Sequence, residues 1–337
     1  MRGIEGLNAF RGSMDETPAI GTRVKIEVSG PAGPTTHSGV VLPGASTDYI
    51  TIKLVNGYNI SHPFSGITSL EIIAEPADIT STKPKAIEQN NRLPKVTIIH
   101  TGGTIASKVD YATGAVVARF EPAEILAGMP ELANIAYIES MKLGNMWSDD
   151  IRPQHWNAMV DAAQNAFDSG SVGVVITHGT DRMHISAAAL AFAFAGNGTR
   201  AAGRIVFTGS QRSSDRGSSD ATENLLSAVH WAANGPVSTG EGDTTVTVMH
   251  AGSGDGICAV NPGVGVRKLH STRRDAFRTV NHEPLAMVHF SREGITDDSS
   301  ATSPSREISG PTRYDTSIKI AQFIAGPHLH GDLIAAA

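Results

Sequence analysis

The hydrophobic pattern of the chain changes near residue 95. Before it, apolar residues recur in short β-branched runs: GTRVKIEV (Gly21 to Val28), HSGVVL (His37 to Leu42) and YITIKL (Tyr49 to Leu54). Asn56-Gly57 follows, a strong hairpin-turn dipeptide, and YNISH then returns. Several short strands with few helix signals predict a small SH3-like β-barrel over residues 1–80. Ser81 to Lys95 is polar, holds two prolines and lacks apolar periodicity, so residues 81–94 read as a linker.

From Lys95 onward apolar strands (KVTIIH, VGVVITHG, RIVFTG, TVTVMHAG) alternate with helical stretches. RPQHWNAMVDAAQNAFDSG places Trp156, Met159, Val160, Ala163 and Phe167 on one face, with Asp149 or Asp150 as cap and Gly170 as stop. Asp220 to Gly235 reads as a second helix. Ile185 to Gly196 is the most apolar run; it is too short to span a bilayer and reads as a buried helix. This alternation predicts an α/β domain over 95–295, a parallel sheet with helices on its faces. After Arg292 the chain turns polar and rich in Ser, Thr and Pro, then offers a strand-length run, Ser317 to Ile324. Residues 296–337 therefore read as a linker and a stub.

Composition narrows the function. The 337 residues are 40% hydrophobic, enough for a sizeable core, and the net charge of −6 argues against non-specific nucleic-acid binding through a basic face. A single cysteine, Cys258, excludes an intramolecular disulfide. With no leader-like start, a soluble protein of the reducing cytoplasm is expected, away from membranes.

In open α/β sheets, ligands bind beyond the carboxyl ends of the strands. Here three successive strands run into Thr101-Gly102-Gly103-Thr104, Thr177-His178-Gly179-Thr180-Asp181 and Thr208-Gly209-Ser210-Gln211. Hydroxyls and glycines thus converge on one edge. The dinucleotide fingerprint, the P-loop and the Gly-x-Ser-x-Gly elbow are all missing, since GSGDG at Gly252 to Gly256 has glycine at its centre. The 13 histidines show no His-Glu-x-x-His spacing, so no metal is expected, and most read as surface or loop residues. Hydroxyl chemistry without histidine remains. Threonine needs a base to take its proton, a desolvated lysine is such a base, and an aspartate orients it. Thr180, Asp181 and Lys268, just beyond the fourth strand, form a coherent set.

TGGTIAS followed by THGTD resembles the two signatures of the type I/II L-asparaginases. SKVDYATGAV, MWSDDI, TGSQRSSDRGSSDATENL and VRKLHSTRRDAFRTVN resemble more narrowly the D-type subunits of archaeal-type glutamyl-tRNA(Gln) amidotransferases, over residues 20 to 295. That resemblance implies an asparaginase-like domain behind an N-terminal β-barrel. It implies a glutaminase subunit, acting on glutamine or asparagine, that supplies ammonia for converting Glu-tRNA(Gln) to Gln-tRNA(Gln). An E-type partner subunit of the amidotransferase handles the tRNA and uses ATP and Mg, so no cofactor is expected in this chain.

Carried over by motif, Thr104 is the nucleophile and Tyr111 sits on a lid above it. Thr180 with Lys268 forms a second relay, and Asp181 holds the lysine and the substrate α-amino group. Ser148, with Asp149 beside it, binds the α-carboxylate. Gly103 and Gly179 are, on geometric grounds, oxyanion donors through their backbone N–H groups. Ser148 is equally readable as a helix N-cap, Tyr111 as an exposed loop residue, and Arg267, Arg273, Arg274 and Arg278 as a solvated basic stretch or as tRNA-phosphate contacts.

The sequence departs from the family at Arg182, where a small Thr usually follows the Asp, at Gly217, and at its C-terminal end. The family's second α/β domain completes a homodimer and borders the neighbouring site; here only the stub matches, which puts homodimerisation and activity in question. A free-standing L-asparaginase and an inactive truncated subunit that only binds its partner are the alternative readings.

Overall fold

The computed structural model describes residues 18–30, 33–42, 48–54, 59–75, 87–103, 105, 107–110, 115–118, 122–195, 199–212, 218–237, 244–291, 294–299, 307–324 and 326–335. The chain forms two compact units, Met1–Pro84 with Ser107–Arg119, and Lys85–Ala106 with Phe120–Ala337.

The first unit holds an antiparallel sheet of β1 (Arg23–Gly30), β2 (Gly33–Leu42), β3 (Tyr49–Leu54), β4 (Asn59–Pro63) and β5 (Ile67–Ala74), in the order β4-β3-β2-β1-β5. Strand side chains alternate between faces, so Val24, Ile26 and Val28 of β1 point to one side and meet Val41, Ile50, Ile52 and Ile67 in a small core. The sheet agrees with the small barrel read from the sequence; the Asn56-Gly57 turn lies outside the described residues.

The second unit opens with β6 (Lys95–His100). The hairpin after it, β7 (Ser107–Asp110) and β8 (Ala115–Ala118), groups with the first unit. The second unit then continues through α1 (Pro122–Gly128), β9 (Tyr137–Lys142), α2 (Pro153–Asp168), β10 (Gly173–Thr177), α3 (Met183–Ala195), β11 (Arg204–Thr208), α4 (Ala221–Asn234) and β12 (Thr245–His250). After these come β13 (Ile257–Pro262), the hairpin β14 (Val266–Lys268) and β15 (Phe277–Thr279), β16 (Ala286–Ser291), β17 (Gly294–Asp297) and α5 (Gly331–Ala335).

Eight strands make one sheet in the order β17-β16-β13-β12-β11-β10-β6-β9. The stretch from β9 to β12 is parallel, whereas β13, β16 and β17 pair antiparallel. The sheet is therefore mixed rather than purely parallel. The link from β12 to β13, Ala251 to Gly256, is too short for a crossover helix and forces the chain to reverse.

Both faces of the sheet are covered. Val96, Ile98, Val175 and Val206 pack with Leu225, Val229 and Trp231 of α4, while Ile99, Val174, Ile176 and Phe207 pack with Met159, Val160 and Phe167 of α2 and Leu190 and Phe194 of α3. Two-sided burial explains why these strands read as continuous apolar runs.

The α2 boundary differs from the sequence expectation. Asp149 and Asp150 lie in a 3₁₀ turn, Ser148–Asp150, and Arg152 occupies the N-cap position, its N–H donating to His155 Nδ1 at 2.9 Å. Pro153 explains the shift: lacking an N–H, it is suited to the first helical position and disfavours helical geometry in the residue before it. Gly170 ends the helix as expected, with φ +91°.

Beyond the sheet, Tyr314 is latched onto α2 and α3. Its Oη donates to Ala189 O at 2.7 Å, its N–H to Asn157 Oδ1 at 2.7 Å, and its O accepts from Asn157 Nδ2 at 2.9 Å. Ser317 to Ile324 is not paired into a sheet among the described residues. No helix among them is long and apolar enough to cross a membrane.

Trp231 is the largest fully buried side chain among the described residues. Trp231→Ala should cost the α/β unit about 3–5 kcal/mol, read as an earlier urea midpoint. A cost below about 1 kcal/mol would mean that the α4 face is not the core described.

Candidate active site

The carboxyl ends of β6, β10 and β11 lie side by side, as their parallel pairing requires. The first two loops are stitched together by Thr101, whose N–H and Oγ1 both donate to Thr177 O, at 3.2 and 2.9 Å. Thr101 O in turn accepts from Met146 N–H at 2.8 Å, which brings in the loop that carries Ser148.

Glycine is required where these loops meet. Gly103 has φ +84°, and a Cβ there would stand 3.1 Å from Gly179 N. Gly102 has φ +131°, and its Cβ would overlap the Met146 carbonyl oxygen. A Cβ on Gly179 would stand 3.0 Å from Ser148 Cβ. Gly103, Gly179 and Ser148 are thus brought together, with Ser148 buried. The N-cap reading of Ser148 does not hold, because it precedes the cap position of α2 by four residues. Neither Gly103 N–H nor Gly179 N–H has a partner among the described residues.

The relay is formed. Lys268 Nζ donates to Thr180 Oγ1 and to Asp181 Oδ1, each at 2.8 Å. The lysine side chain is only 8% exposed while that of Asp181 is 65% exposed, so the hydrophobic stem is sheltered and the carboxylate faces solvent. Residues 87 positions apart in sequence thereby share one hydrogen-bonded group.

Thr104 and Tyr111 lie outside the described residues. Around Thr104, Gly103 abuts Gly179, and Ile105 is buried in the core of the second unit. Asp149 is brought to the same region but is engaged by Arg182, whose Nε lies 3.1 Å from its Oδ1. Arg182, the residue that departs from the family, thus forms an exposed ion pair at the site; such pairs contribute about 0–1 kcal/mol.

The basic stretch is largely paired. Arg273 and Arg278 both bind Asp275, at 2.7 and 2.5 Å, and Arg274 binds Asp255 at 2.5 Å and Ser253 O at 2.6 Å. The Asp275 carboxyl, hydrogen-bonded by Arg273, is held down at about 2.

Three histidines are buried rather than on the surface: His100, His178 and His250. Position pointed to this, since each ends or follows a buried strand. Asp220 is also fully buried, although the sequence pattern marks it only as a helix start.

The fold and these residues define a class: an α/β protein whose sheet edge carries a threonine–lysine–aspartate relay between glycine-lined loops. The family model "Asparaginase, N-terminal" matches residues 95–299, and the chain belongs to this asparaginase family. Among curated proteins, it is 39% identical over 272 residues to the D-type subunit of the Glutamyl-tRNA(Gln) amidotransferase of Methanococcus maripaludis, covering 80% of this chain and 61% of the relative. It is 42% identical over 254 residues to the corresponding protein of Sulfolobus acidocaldarius, covering 75% and 54%. The thermostable L-asparaginase from Thermococcus kodakarensis has a similar structure, with TM-score 0.50 and 27% identity over 65% of this chain and 60% of that one. The chain spans roughly three-fifths of the length of the curated relatives it matches.

Burial pushes His100 and His178 down from 6.5 to about 4. The unfolded chain takes up these protons near 6.5 and the folded chain only near 4. Stability from keeping both rings neutral is therefore complete above the unfolded value and is lost as pH falls toward the folded one. The loss should be roughly 1.4 kcal/mol per pH unit for each histidine across that window. Urea denaturation from about pH 7 down to about pH 4.5 would show this slope; a flat profile would mean that solvent reaches the rings.

Proposed function

We propose that this chain is the glutaminase subunit of a glutamyl-tRNA(Gln) amidotransferase, releasing ammonia from glutamine for the conversion of Glu-tRNA(Gln) to Gln-tRNA(Gln). The observation that carries the reading is Lys268 Nζ bridging Thr180 and Asp181 beside two glycine N–H groups without partners among the described residues. The amidotransferase names of its relatives support the tRNA-dependent role, and the barrel-like first unit agrees with it.

In this reading the Thr104 hydroxyl oxygen attacks the side-chain carbonyl carbon of glutamine and gives up its proton. The Gly103 and Gly179 N–H groups stabilise the resulting oxyanion. The C–N bond breaks, and ammonia leaves with the transferred proton. Water then passes a proton through the Thr180 hydroxyl to the neutral Lys268 amine as its oxygen attacks the acyl carbonyl carbon. The bond to the Thr104 oxygen breaks, that oxygen takes a proton back, and glutamate is freed. Asp181 holds both the lysine and the substrate α-amino group, Ser148, with Asp149 beside it, binds the α-carboxylate, and Tyr111 covers the nucleophile. The partner is the tRNA-binding E-type component of the amidotransferase, which uses ATP and Mg; this chain supplies no cofactor. The cytoplasm is the compartment that fits.

Ammonia release from glutamine, with and without that partner, Glu-tRNA(Gln) and ATP, tests the reading. Stimulation by the full mixture is expected; asparagine hydrolysis indifferent to the partner would instead favour a free asparaginase. Thr104→Ala and Lys268→Met should each lower the rate by at least about a hundredfold with the fold retained, as loss of a nucleophile or base requires. Retention of most of the rate by either variant would remove that residue from the mechanism.

A further inference from the structure

The loop after β11 is held by a buried acid to which the mechanism assigns no role. Asp220 occupies the N-cap position of α4, but its side chain makes no capping hydrogen bond. Its Oδ1 accepts from Ser210 Oγ and Arg212 N–H, both at 2.9 Å, and its Oδ2 from Gln211 N–H at 3.0 Å and Asn224 Nδ2 at 2.9 Å. Asn224 Nδ2 also donates to Gly209 O at 2.9 Å. With both amide hydrogens spent, Asn224 Oδ1 accepts from His250 Nδ1 at 2.7 Å, which fixes the amide orientation. Residues 209–212 are therefore pinned from below.

Gln211 reaches outward from this anchored loop. Its Nε2 donates to Arg273 O at 2.9 Å and His270 O at 3.3 Å. Both partners are carbonyls, so the amide cannot be turned the other way. They sit in the turn between β14 and β15, the hairpin that carries Lys268. On its other side the same loop packs against the relay: a Cβ on Gly209 would stand 3.0 Å from Thr180 Cγ2. One short loop thus contacts both the residue that receives the lysine hydrogen bond and the hairpin that delivers it.

We propose that Gln211 is a positioning residue for Lys268: its side-chain amide ties the β14–β15 turn to the loop anchored by Asp220 and keeps Nζ in reach of Thr180 and Asp181 together. The physical need is clear. Buried Val266 and Phe277 seat the base of the hairpin and Arg274 ties its turn to the β12–β13 link, but neither contact faces Thr180, and a lysine stem is flexible, so Nζ still needs a tether on the Thr180 side. The Arg273–Asp275–Arg278 cluster stiffens the hairpin internally but does not fix where it stands relative to Thr180.

The activity arm of the test rests on the amidohydrolase reading above; the spectroscopic arm does not. Gln211→Met keeps the shape and removes both donors, while Gln211→Glu sets a carboxylate against two carbonyls. In each variant the Lys268 Cε resonance, assigned with Lys268→Met, should move, with the melting temperature nearly unchanged. The Met variant should lose about tenfold in kcat for glutamine with KM altered less than about twofold, as a misplaced reacting group predicts.

An unmoved resonance in both variants overturns the proposal, whatever the rate. A moved resonance with full kcat overturns it too, as does a general loss of stability in both variants. If the unaltered chain releases no ammonia, the functional reading fails, and the resonance alone still decides whether Gln211 places Lys268.

Discussion

The rest of the site depends on how closely two strand-end loops approach each other. Gly103 and Gly179 meet backbone to backbone, at a separation that a Cβ on Gly103 would crowd and with a positive φ that side chains disfavour. Because they meet, Thr101 can donate twice to Thr177 O, and Ser148 can stand against Gly179. Lys268 then closes the arrangement from the far hairpin. Parallel pairing of β6 and β10 makes this approach unavoidable, since parallel neighbours end on the same side of the sheet.

The chemistry follows from an unequal distribution of solvent. The lysine is sheltered and the aspartate that holds it is exposed, so the ion pair is anchored on one side and accessible on the other. Thr180 sits between these conditions, hydrogen-bonded to the sheltered lysine. Arg182 adds charge at this rim but spends it on Asp149. The arginines of the β14–β15 region spend theirs on Asp275 and Asp255, and so act as struts of the hairpin. A basic run in sequence has become a set of local pairs.

Much of this is legible in residue order. The strands that end in His100, Thr177, Thr208 and His250 are visible as apolar runs, because burial on both faces leaves no polar alternation to confuse the pattern. The helices after Pro153 and Asp220 follow from spacing and stop signals. Helix α1 and the β7–β8 hairpin give no clear pattern, and two features of the large sheet are likewise not visible in this way. One is β9, an edge strand whose mixed residues give weak periodicity. The other is the set of antiparallel strands after β12, where a short turn rather than composition sets direction. At the start of α2, proline at the first helical position outweighs the aspartates before it, so the cap falls later than side-chain type alone suggests.

The linear order of residues sufficed to select the layers, the glycine-rich loops and the residue types of the relay, because these depend on local propensity and on burial pattern. Only the tertiary structure decided how closely the first two loops approach, which acid orders the third loop, and that Gln211 faces the lysine hairpin. Most of those contacts join residues tens of positions apart, and their geometry depends on strand register and close backbone approach, which no local pattern encodes.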